Sequence, residues 1–480
     1  MHRSGLGAGL LMVLAVAAGV AGFKALSHPT EPAQDADGDL PNVVLIIVDT
    51  LRADLLGCYG FPGKISPEID VIARQGVLFE NCIAQCSWTR PSIASMVTSL
   101  YPRTLGMHKE QYDMLADRYL TLAEILKDNE YSTFGITANP HLNKAFNFHQ
   151  GFDQYVETKA TWAQMTAKRR GRGRKESGRE ELPKSLDVFD RVIEMAEDTE
   201  EGPAYVQINI MEVHSPSLIR REYVHAFDSL QVKVKESVPP KRGARVRHLV
   251  RRTCSAVAQV SHDTGAFVER LTSLPGWDNT LFIITSDHGQ GLNDHPDVDK
   301  SSHHGNLLYE SQVLVPLILY NPADSLGIPA GKRVKERVRL LDLVPTVLEY
   351  TGIPLPGNLA GRSVLSMATG IGGPPDLPRV FVTETNWRDV DKIAAYGGEW
   401  KYIENRDGWE GVNKFELQRF GVKENGAVTD EYDGHTEEAE RLRRFLVLWE
   451  REFERVDSTQ PDEGPSEEEM NQLRSLGYIR

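Results

Sequence analysis

The chain contains 480 residues, 68 of them acidic and 54 basic, which gives a formal net charge of -14. This acidic balance argues against nucleic acid as the main partner, because the phosphate backbone attracts basic surfaces. The length allows a large core and more than one domain, at roughly 100–200 residues per domain. We therefore expect a globular protein whose partners are not nucleic acids.

The N-terminal segment predicts export. Residues 5–23 carry no charge and lie between Arg3 and Lys24. The length of this apolar run falls between those of a cleavable signal and a membrane span, so residues 1–27 are either removed or kept as a membrane anchor. The basic start and the acidic linker at 28–40 favour a location outside the cytoplasm. We expect a periplasmic, secreted or membrane-anchored protein.

From residue 42 the chain alternates strand and helix patterns. Residues 42–48 form a continuous apolar run, rich in β-branched residues, that ends at Asp49, which is typical of a buried parallel strand. Further strand patterns lie at 132–138, 204–211, 280–286 and 315–320, and helix patterns lie at 92–100, 119–129 and 255–274. This alternation predicts one large α/β domain with helices on both faces.

The pattern changes near residue 370. A Gly-Gly-Pro-Pro run precedes short strand patterns at 380–383 and 400–403 and a charged helix at 436–455. We predict a catalytic domain at 41–370 and a smaller C-terminal α+β subdomain at 371–480.

Two further features have an ordinary explanation beside a functional one. The basic segment at 168–179 could contact an anionic lipid or substrate, although such a run is more often a solvated loop. Cys82 and Cys86 could pair in an oxidising compartment, although plain buried thiols are the more common state.

Residues that can bind metal follow three of the predicted strands. They are Asp49, then Glu212 with His214, then Asp287 with His288. Each residue alone has ordinary roles, such as capping a helix. The carboxyl ends of parallel strands meet at one edge of the sheet, and carboxylate with imidazole suits a divalent cation. Together these residues predict a metal site.

Several segments resemble the sulfatase family, which belongs to the alkaline phosphatase superfamily. The resemblance rests on residues 42–54, on Ser286-Asp287-His288-Gly289, and on the segments 303–310, 341–348 and 473–479, which occur in the family's order. It implies an alkaline-phosphatase-like fold, in which helices sandwich a large mixed sheet and a smaller C-terminal α+β subdomain follows.

The resemblance also implies a mechanism. A nucleophile at the start of a helix, aided by a metal ion, attacks sulfur or phosphorus and forms a covalent enzyme ester. The residues implied around the metal are Asp49, Thr89, Asp287 and His288. His214 and His304 are the candidates for contacting the substrate and protonating the leaving oxygen. Thr50 stands where many sulfatases have a second Asp, which favours one ion. The ligand set suits calcium or manganese, with zinc and magnesium as alternatives.

The chain departs from the family at the nucleophile. The usual pattern, C/S-x-P-S-R, supplies a Cys or Ser that becomes formylglycine, but here the first and last positions are Thr89 and Ile93. Two other polar positions associated with formylglycine are Leu100 and Leu105. We therefore expect an unmodified threonine nucleophile. The ordinary explanation for Thr89, an N-cap before a helix at 92–100, is compatible with that role.

Threonine changes the expected chemistry. A formylglycine hydrate releases sulfate by collapsing to the aldehyde, whereas a threonine ester must be displaced at sulfur or phosphorus by an incoming molecule. Superfamily members with Thr here look like phosphodiesterases, nucleotide pyrophosphatases and phospho-group transferases, which shifts the expectation towards phosphate-type esters.

Three hypotheses follow. The first is a metal-dependent hydrolase of sulfate or phosphate esters that uses Thr89, takes an anionic ester as substrate and contacts a membrane only if the N-terminal segment is retained. The second is a transferase that moves a phospho-alcohol group from a lipid donor, which an anchor would favour. The third is a non-catalytic binding module, which the intact metal set disfavours.

Overall fold

The structure is a computed structural model that describes residues 40–108, 113–158, 185–199, 202–215, 219–224, 244–295, 298–299, 303–323, 327–372, 380–408, 412–421 and 429–459. Three predicted features lie outside these residues: the export segment at 1–27, the basic run at 168–179 and the motif at 473–479. None of the helices in the described ranges has both the length and the apolar character needed to cross a membrane.

In the described part of the chain, eight strands form the large sheet. In chain order they are β1 (Asn42–Val48), β2 (Val77–Ile83), β3 (Ser132–Thr137), β4 (Gln154–Glu157), β5 (Ala204–Ile210), β6 (Thr280–Thr285), β7 (Leu314–Tyr320) and β8 (Lys332–Arg339). Their spatial order is β4-β3-β5-β1-β6-β7-β2-β8. β7 runs antiparallel to both its neighbours, and all other pairs are parallel. The sheet is therefore mixed, as the resemblance implied.

The first strand occupies the middle of this sheet because it is apolar on both faces. All seven of its residues are buried. Alternate side chains of a strand point to opposite faces, and here they enter two separate cores: Val43, Leu45 and Ile47 in one, Val44, Ile46 and Val48 in the other. A strand buried in this way places the residue after it, Asp49, at the centre of one edge of the sheet.

Helices cover both faces of the sheet, as predicted. Among the described residues, the α-helices in chain order are α1 (Pro67–Gln75), α2 (Thr89–Thr98), α3 (Pro102–Leu105), α4 (Leu122–Lys127), α5 (Ser185–Glu197), α6 (Ala244–Thr272), α7 (Glu310–Val313), α8 (Leu343–Tyr350), α9 (Leu365–Thr369) and α10 (Thr436–Glu452). Apolar residues of α2, α4 and α8 belong to one core, and those of α1, α5 and α6 belong to the other. The helix predicted at 255–274 begins earlier, at Ala244, in a charged stretch.

A second sheet follows the large one. Its antiparallel strands are β9 (Phe381–Thr385), β10 (Lys392–Gly397), β11 (Trp400–Asn405) and β12 (Phe415–Arg419), in the order β12-β11-β10-β9. The helix α10 packs on it through Ala439, Leu442, Leu446 and Trp449. This confirms a smaller α+β subdomain, while its boundary at residue 371 stays a prediction.

The two sheets are joined by apolar and ionic contacts. Residues of β10 and β11 share a core with Leu308 and Tyr309, which precede α7. The buried Arg103 side chain of α3 lies 3.0 Å from Glu384 of β9 and 2.9 Å from Glu450 of α10. Breaking a buried ion pair leaves an uncompensated charge, so these contacts fix the subdomain against the large domain.

The cysteines are free thiols. Cys82, Cys86 and Cys254 are buried and Cys58 is partly buried. Burial raises the pKa of each of these thiols. Cys82 and Cys86 do not form a disulfide in this structure, which confirms the expectation of plain buried thiols.

Candidate active site

Three predicted ligands meet at the C-terminal edge of the large sheet. Asp49 directly follows β1, and Asp287 and His288 follow β6, which pairs with β1 in parallel. One side-chain ligand atom from each of the three lies within 4.8 Å of the others, and all three residues are buried. The parallel pairing of two central strands thus brings together residues that are far apart in the chain.

The donor atoms of this group fit a cation. His288 Nδ1 lies 2.9 Å from the carbonyl oxygen of Gly289, which can only accept, so Nδ1 carries a proton and, in the neutral ring, Nε2 has a lone pair. His288 Nε2 lies 3.2 Å from Asp287 Oδ2. Within the described ranges, neither Asp49 Oδ1 nor Asp287 Oδ2 has a hydrogen-bond partner, although both are buried. Three acceptor atoms that face one another in this way match a divalent metal site.

The pKa of the Asp49 carboxyl is shifted by its burial and by the nearby Asp287. Burial, the largest effect, and repulsion from Asp287 raise the pKa of the Asp49 carboxyl well above its usual value. Hydrogen bonds from Asn139 and Thr89 act in the opposite direction. Two carboxylates buried together repel each other, so a positive charge between them would stabilise the pair.

Thr50 carries backbone strain at the same place. Its φ is 60°, in the left-handed region that β-branched residues rarely adopt. The strained backbone lets Thr50 N donate to Asp287 Oδ1 at 3.2 Å. No described residue hydrogen-bonds the buried Thr50 hydroxyl. Strain of this kind persists when the surroundings enforce it and is common at functional sites.

Thr89 begins α2 and faces the ligand group. Its hydroxyl Oγ1 lies 3.2 Å from His288 Nε2, and the side chain is buried. The prediction that Thr89 is the N-cap of a helix at 92–100 was wrong, because Trp88 is the N-cap and Thr89 is the first helical residue. Pro91 lies in the first turn, where its missing N–H breaks no intrahelical hydrogen bond, so the helix can begin earlier.

An apolar core and a polar contact hold α2 in place. Ile93, Leu100 and Leu105, which replace polar residues of the usual sulfatase pattern, all belong to the core beneath the sheet. Ser92 Oγ donates to the carbonyl oxygen of Asp287 at 2.6 Å. This bond holds the first turn of α2, and therefore Thr89, against the ligand group.

His214 and His304 form a pair beside His288. Their Nε2 atoms are 3.2 Å apart, so one ring donates and the other accepts. The His304 and His288 ring centroids are 4.3 Å apart. Burial is the main reason that the pKa of His214 is lowered to about 3 and that of His304 falls well below its usual value. Both imidazoles are therefore neutral near pH 7.

Three residues that the sequence did not single out also reach this region. Asn139 and His141 lie in the turn after β3, at the same sheet edge as Asp49. Trp387 comes from the second sheet's β9–β10 connection, and its ring centroid is 5.0 Å from that of Trp88 and 6.0 Å from that of His304. The strand prediction at 132–138 contained a usable signal for the first two, since polar residues follow that strand directly.

Comparison with known proteins agrees with this geometry. The family model described as Sulfatase matches residues 41–353, which include every strand of the large sheet and every residue of the site except Trp387. This chain belongs to the sulfatase family. The resemblance found in the sequence is thereby confirmed, and the chain is a sulfatase-family ester hydrolase.

Relatives of this sulfatase-family chain include enzymes of two kinds. A sulfatase from Formosa agariphila is 23% identical over 421 residues, covering 78% of this chain and 80% of that protein. A protein solved with its substrate D-glucosamine-2-N,6-O-disulfate superposes with a TM-score of 0.67 at 17% identity, covering 89% of this chain and 100% of that one. The phosphonate monoester hydrolase of Agrobacterium radiobacter superposes with a TM-score of 0.64 at 17% identity, covering 86% and 96%. The structural matches establish a shared fold.

Glu212, predicted to lie with the metal ligands of this sulfatase-family site, lies elsewhere. Its carboxylate accepts a hydrogen bond from the backbone N–H of Ser185, at the start of α5, and interacts with Asp263. The chain turns after β5, where His214 N bonds Met211 O at 3.0 Å, and this turn separates Glu212 from His214. Only His214 joins the site.

The position of Glu212 predicts a pH-dependent stability in this sulfatase-family protein. Burial, the largest effect, raises the pKa of its carboxyl to about 7, from 4.5. The folded state therefore binds this proton more tightly than the unfolded chain, and stability falls as pH rises from about 4.5 to about 7. We expect Glu212→Gln to raise the free energy of unfolding at pH 8 by about 1–3 kcal/mol and to change it little at pH 5.

Urea denaturation at both pH values measures this effect. Glu349→Gln, at an exposed position of α8, is the control and should behave as wild type at both. A stabilisation by Glu212→Gln that is larger at pH 5 than at pH 8 would contradict the assignment.

Proposed function

We propose that this chain is a metal-dependent hydrolase of anionic sulfuric or phosphoric-type esters, with Thr89 as the nucleophile. One observation supports this most directly. The Thr89 hydroxyl lies 3.2 Å from His288 Nε2, against a buried group of two carboxylates and an imidazole whose donor atoms face one another. A hydroxyl beside such a group is placed where a cation would activate it.

Asp49, Asp287 and His288 would hold the ion, with the Thr89 oxygen as a further ligand. The donor set suits calcium or manganese, with zinc and magnesium as alternatives, and one ion is sufficient for the ligands present. When bound, such an ion lowers the pKa of a nearby hydroxyl and neutralises charge on the transferred group.

We propose a reaction in two displacements. In the first, Thr89 Oγ1 bonds to sulfur or phosphorus and the bond to the alcohol oxygen breaks. The hydrogen-bonded His214–His304 pair would accept the Thr89 hydroxyl proton and deliver a proton to the departing alcohol oxygen, because neutral imidazoles can both accept and donate. In the second displacement, water attacks the same sulfur or phosphorus and the Thr89 oxygen leaves and regains its proton.

The substrate is an ester of either sulfur or phosphorus. Relatives and structural neighbours include proteins named as sulfatases and as phosphonate monoester hydrolases. A threonine ester cannot collapse to an aldehyde, so a nucleophile must displace it at the central atom. We therefore favour phosphorus esters. An extracytoplasmic location completes the proposal, with membrane attachment if the segment at 1–27 is retained and none if it is removed.

A substrate panel tests it. Purified protein with excess Ca²⁺, Mn²⁺, Zn²⁺ or Mg²⁺ is assayed on an aryl sulfate, a phosphate monoester, a phosphodiester and a phosphonate monoester, with and without an added alcohol acceptor. We expect turnover on at least one phosphorus ester that chelation abolishes and metal restores. Product formed only with the alcohol acceptor would indicate a transferase. No turnover together with no metal binding would indicate a binding module.

A further inference from the structure

The residue after the proposed nucleophile is a wholly buried arginine. Arg90 is the second residue of α2, and its guanidinium carbon lies 3.6 Å from the centroid of the Phe146 ring. Its Nη1 donates to the carbonyl oxygen of Asp113 at 3.1 Å. A ring face and a carbonyl together fix the plane and the direction of the guanidinium, so this side chain is held rigidly beside Thr89.

The other terminal nitrogen of Arg90 meets a histidine. Arg90 Nη2 lies 2.9 Å from His141 Nδ1. A guanidinium has only donors, so His141 Nδ1 must be the acceptor and carries no proton. A neutral imidazole with an unprotonated Nδ1 has its proton on Nε2. The Arg90 contact therefore selects one of the two neutral tautomers and excludes the imidazolium, in which both nitrogens are donors.

His141 is connected to the site through its neighbour in the turn after β3. Asn139 donates its side-chain amide to Asp49 and accepts, through Oδ1, the backbone N–H of His141 at 2.9 Å. His141 also interacts electrostatically with His214, His288 and His304. The imidazole that Arg90 holds is thus part of the same cluster of rings as the candidate catalytic pair.

The positive charge of Arg90 also favours the neutral form of His141. Burial, and then the positive charge of Arg90, hold the pKa of His141 well below its usual value. A neutral Nε2–H can donate a hydrogen bond to an anionic oxygen but has no reason to release its proton near pH 7. This separates His141 from the His214–His304 pair, whose shared proton can move.

We propose that Arg90 is a positioning residue that fixes His141 as a neutral Nε2–H donor towards the anionic group of the ester. The inference rests on the proposed function for its substrate, but not for the tautomer. Arg90 acts through His141, and the same contact keeps His141 from serving as the acid or base of the reaction.

Nitrogen-15 histidine spectra test the tautomer without any substrate. Protein labelled with [¹⁵N]histidine is examined at pH 7 with Ca²⁺ by two-bond ¹H–¹⁵N correlation, and His141→Gln assigns the relevant peaks. We expect the pattern of a neutral Nε2–H ring in wild type. A neutral Nδ1–H ring or an imidazolium at His141 would overturn the proposal, even if no Arg90 variant folds.

Two variants of similar length separate the role of the arginine from simple packing. Arg90→Met removes every donor and should release His141 to a mixture of tautomers, whereas Arg90→Lys keeps a donor-only cation and should keep the Nε2–H pattern. Arg333→Met, at a half-exposed position paired with Glu80, is the control and should leave the His141 peaks unchanged. Unchanged His141 peaks in Arg90→Met would also overturn the proposal.

Kinetics with the ester that the panel identifies complete the test. Loss of one hydrogen bond to a charged group corresponds to about a 10- to 100-fold decrease in kcat/KM for Arg90→Met, with a smaller loss for Arg90→Lys. Turnover of Arg90→Met equal to wild type would refute the link to the substrate. Absence of turnover in every variant and in wild type would refute the proposed function, while the spectra would still decide the tautomer.

Discussion

Thr89→Ala is expected to abolish turnover, lowering kcat by about four to six orders of magnitude, as loss of a covalent nucleophile does in other enzymes. The substitution removes the only atom of the side chain that can form the covalent ester, the Oγ1 that lies 3.2 Å from His288 Nε2. Thr89→Ser keeps that atom and should retain measurable activity. The measurement is kcat on the best substrate of the panel, with saturating metal.

A matched control lies on the same helix. Thr98 ends α2, is buried like Thr89, and donates its hydroxyl to the carbonyl oxygen of Ala94 at 2.7 Å. Thr98→Ala should therefore keep wild-type turnover within a few-fold, at some cost in stability. Acid-quenched wild-type enzyme should carry the transferred group on Thr89, detectable by peptide mass spectrometry. Turnover by Thr89→Ala at the wild-type rate would show that Thr89 is not the nucleophile.

Asp287→Asn is expected to have opposite effects on metal binding and on the metal-free protein. The substitution removes one negative charge from the ligand group, so affinity for Ca²⁺ or Mn²⁺ should fall by about two orders of magnitude or more. Even mutation of a residue that only hydrogen-bonds to a metal ligand typically lowers metal affinity about 10- to 100-fold. In chelator the same change relieves the repulsion between Asp49 and Asp287, which burial strengthens. The variant should therefore unfold at a higher temperature than metal-free wild type.

Isothermal titration calorimetry and thermal unfolding, each with metal and with chelator, measure the two effects. Excess metal should raise the melting temperature of wild type far more than that of the variant, because only native protein offers the site. Asp128→Asn, at an exposed position after α4, should match wild type in both measurements. Equal metal affinity in Asp287→Asn and wild type would show that Asp287 is not a ligand.

The part of the site that the sequence predicted comes from strand ends. Asp49, Asp287 and His288 directly follow long apolar strands, and the parallel pairing of β1 with β6 makes their proximity a consequence of strand geometry. The family resemblance added Thr89 and the mixed sheet, which periodicity alone could not supply. Alternating patterns identify strands but do not reveal that β7 runs antiparallel.

The remaining residues depend on contacts that no local pattern contains. Asn139 and His141 lie in a turn with Pro140, a composition that indicates only a change of chain direction. Trp387 reaches the site from a different sheet, so its position depends on how the subdomain docks. Glu212 follows a strand, as Asp49 and Asp287 do, but the turn after β5 directs it to α5 instead.

Thr50 and Asp287 are far apart in the sequence, and this affects when the ligand group can form during synthesis. Their hydrogen bond joins residues 237 positions apart, and β1 and β6 must pair before the ligand group exists. Bringing together residues so far apart in the chain costs loop-closure entropy and slows folding. A nascent chain that has been synthesised only as far as β5 already contains Asp49 and Thr89 but no complete ligand set. Binding of the proposed ion would therefore come late in biogenesis, because a fragment truncated before β6 lacks Asp287 and His288.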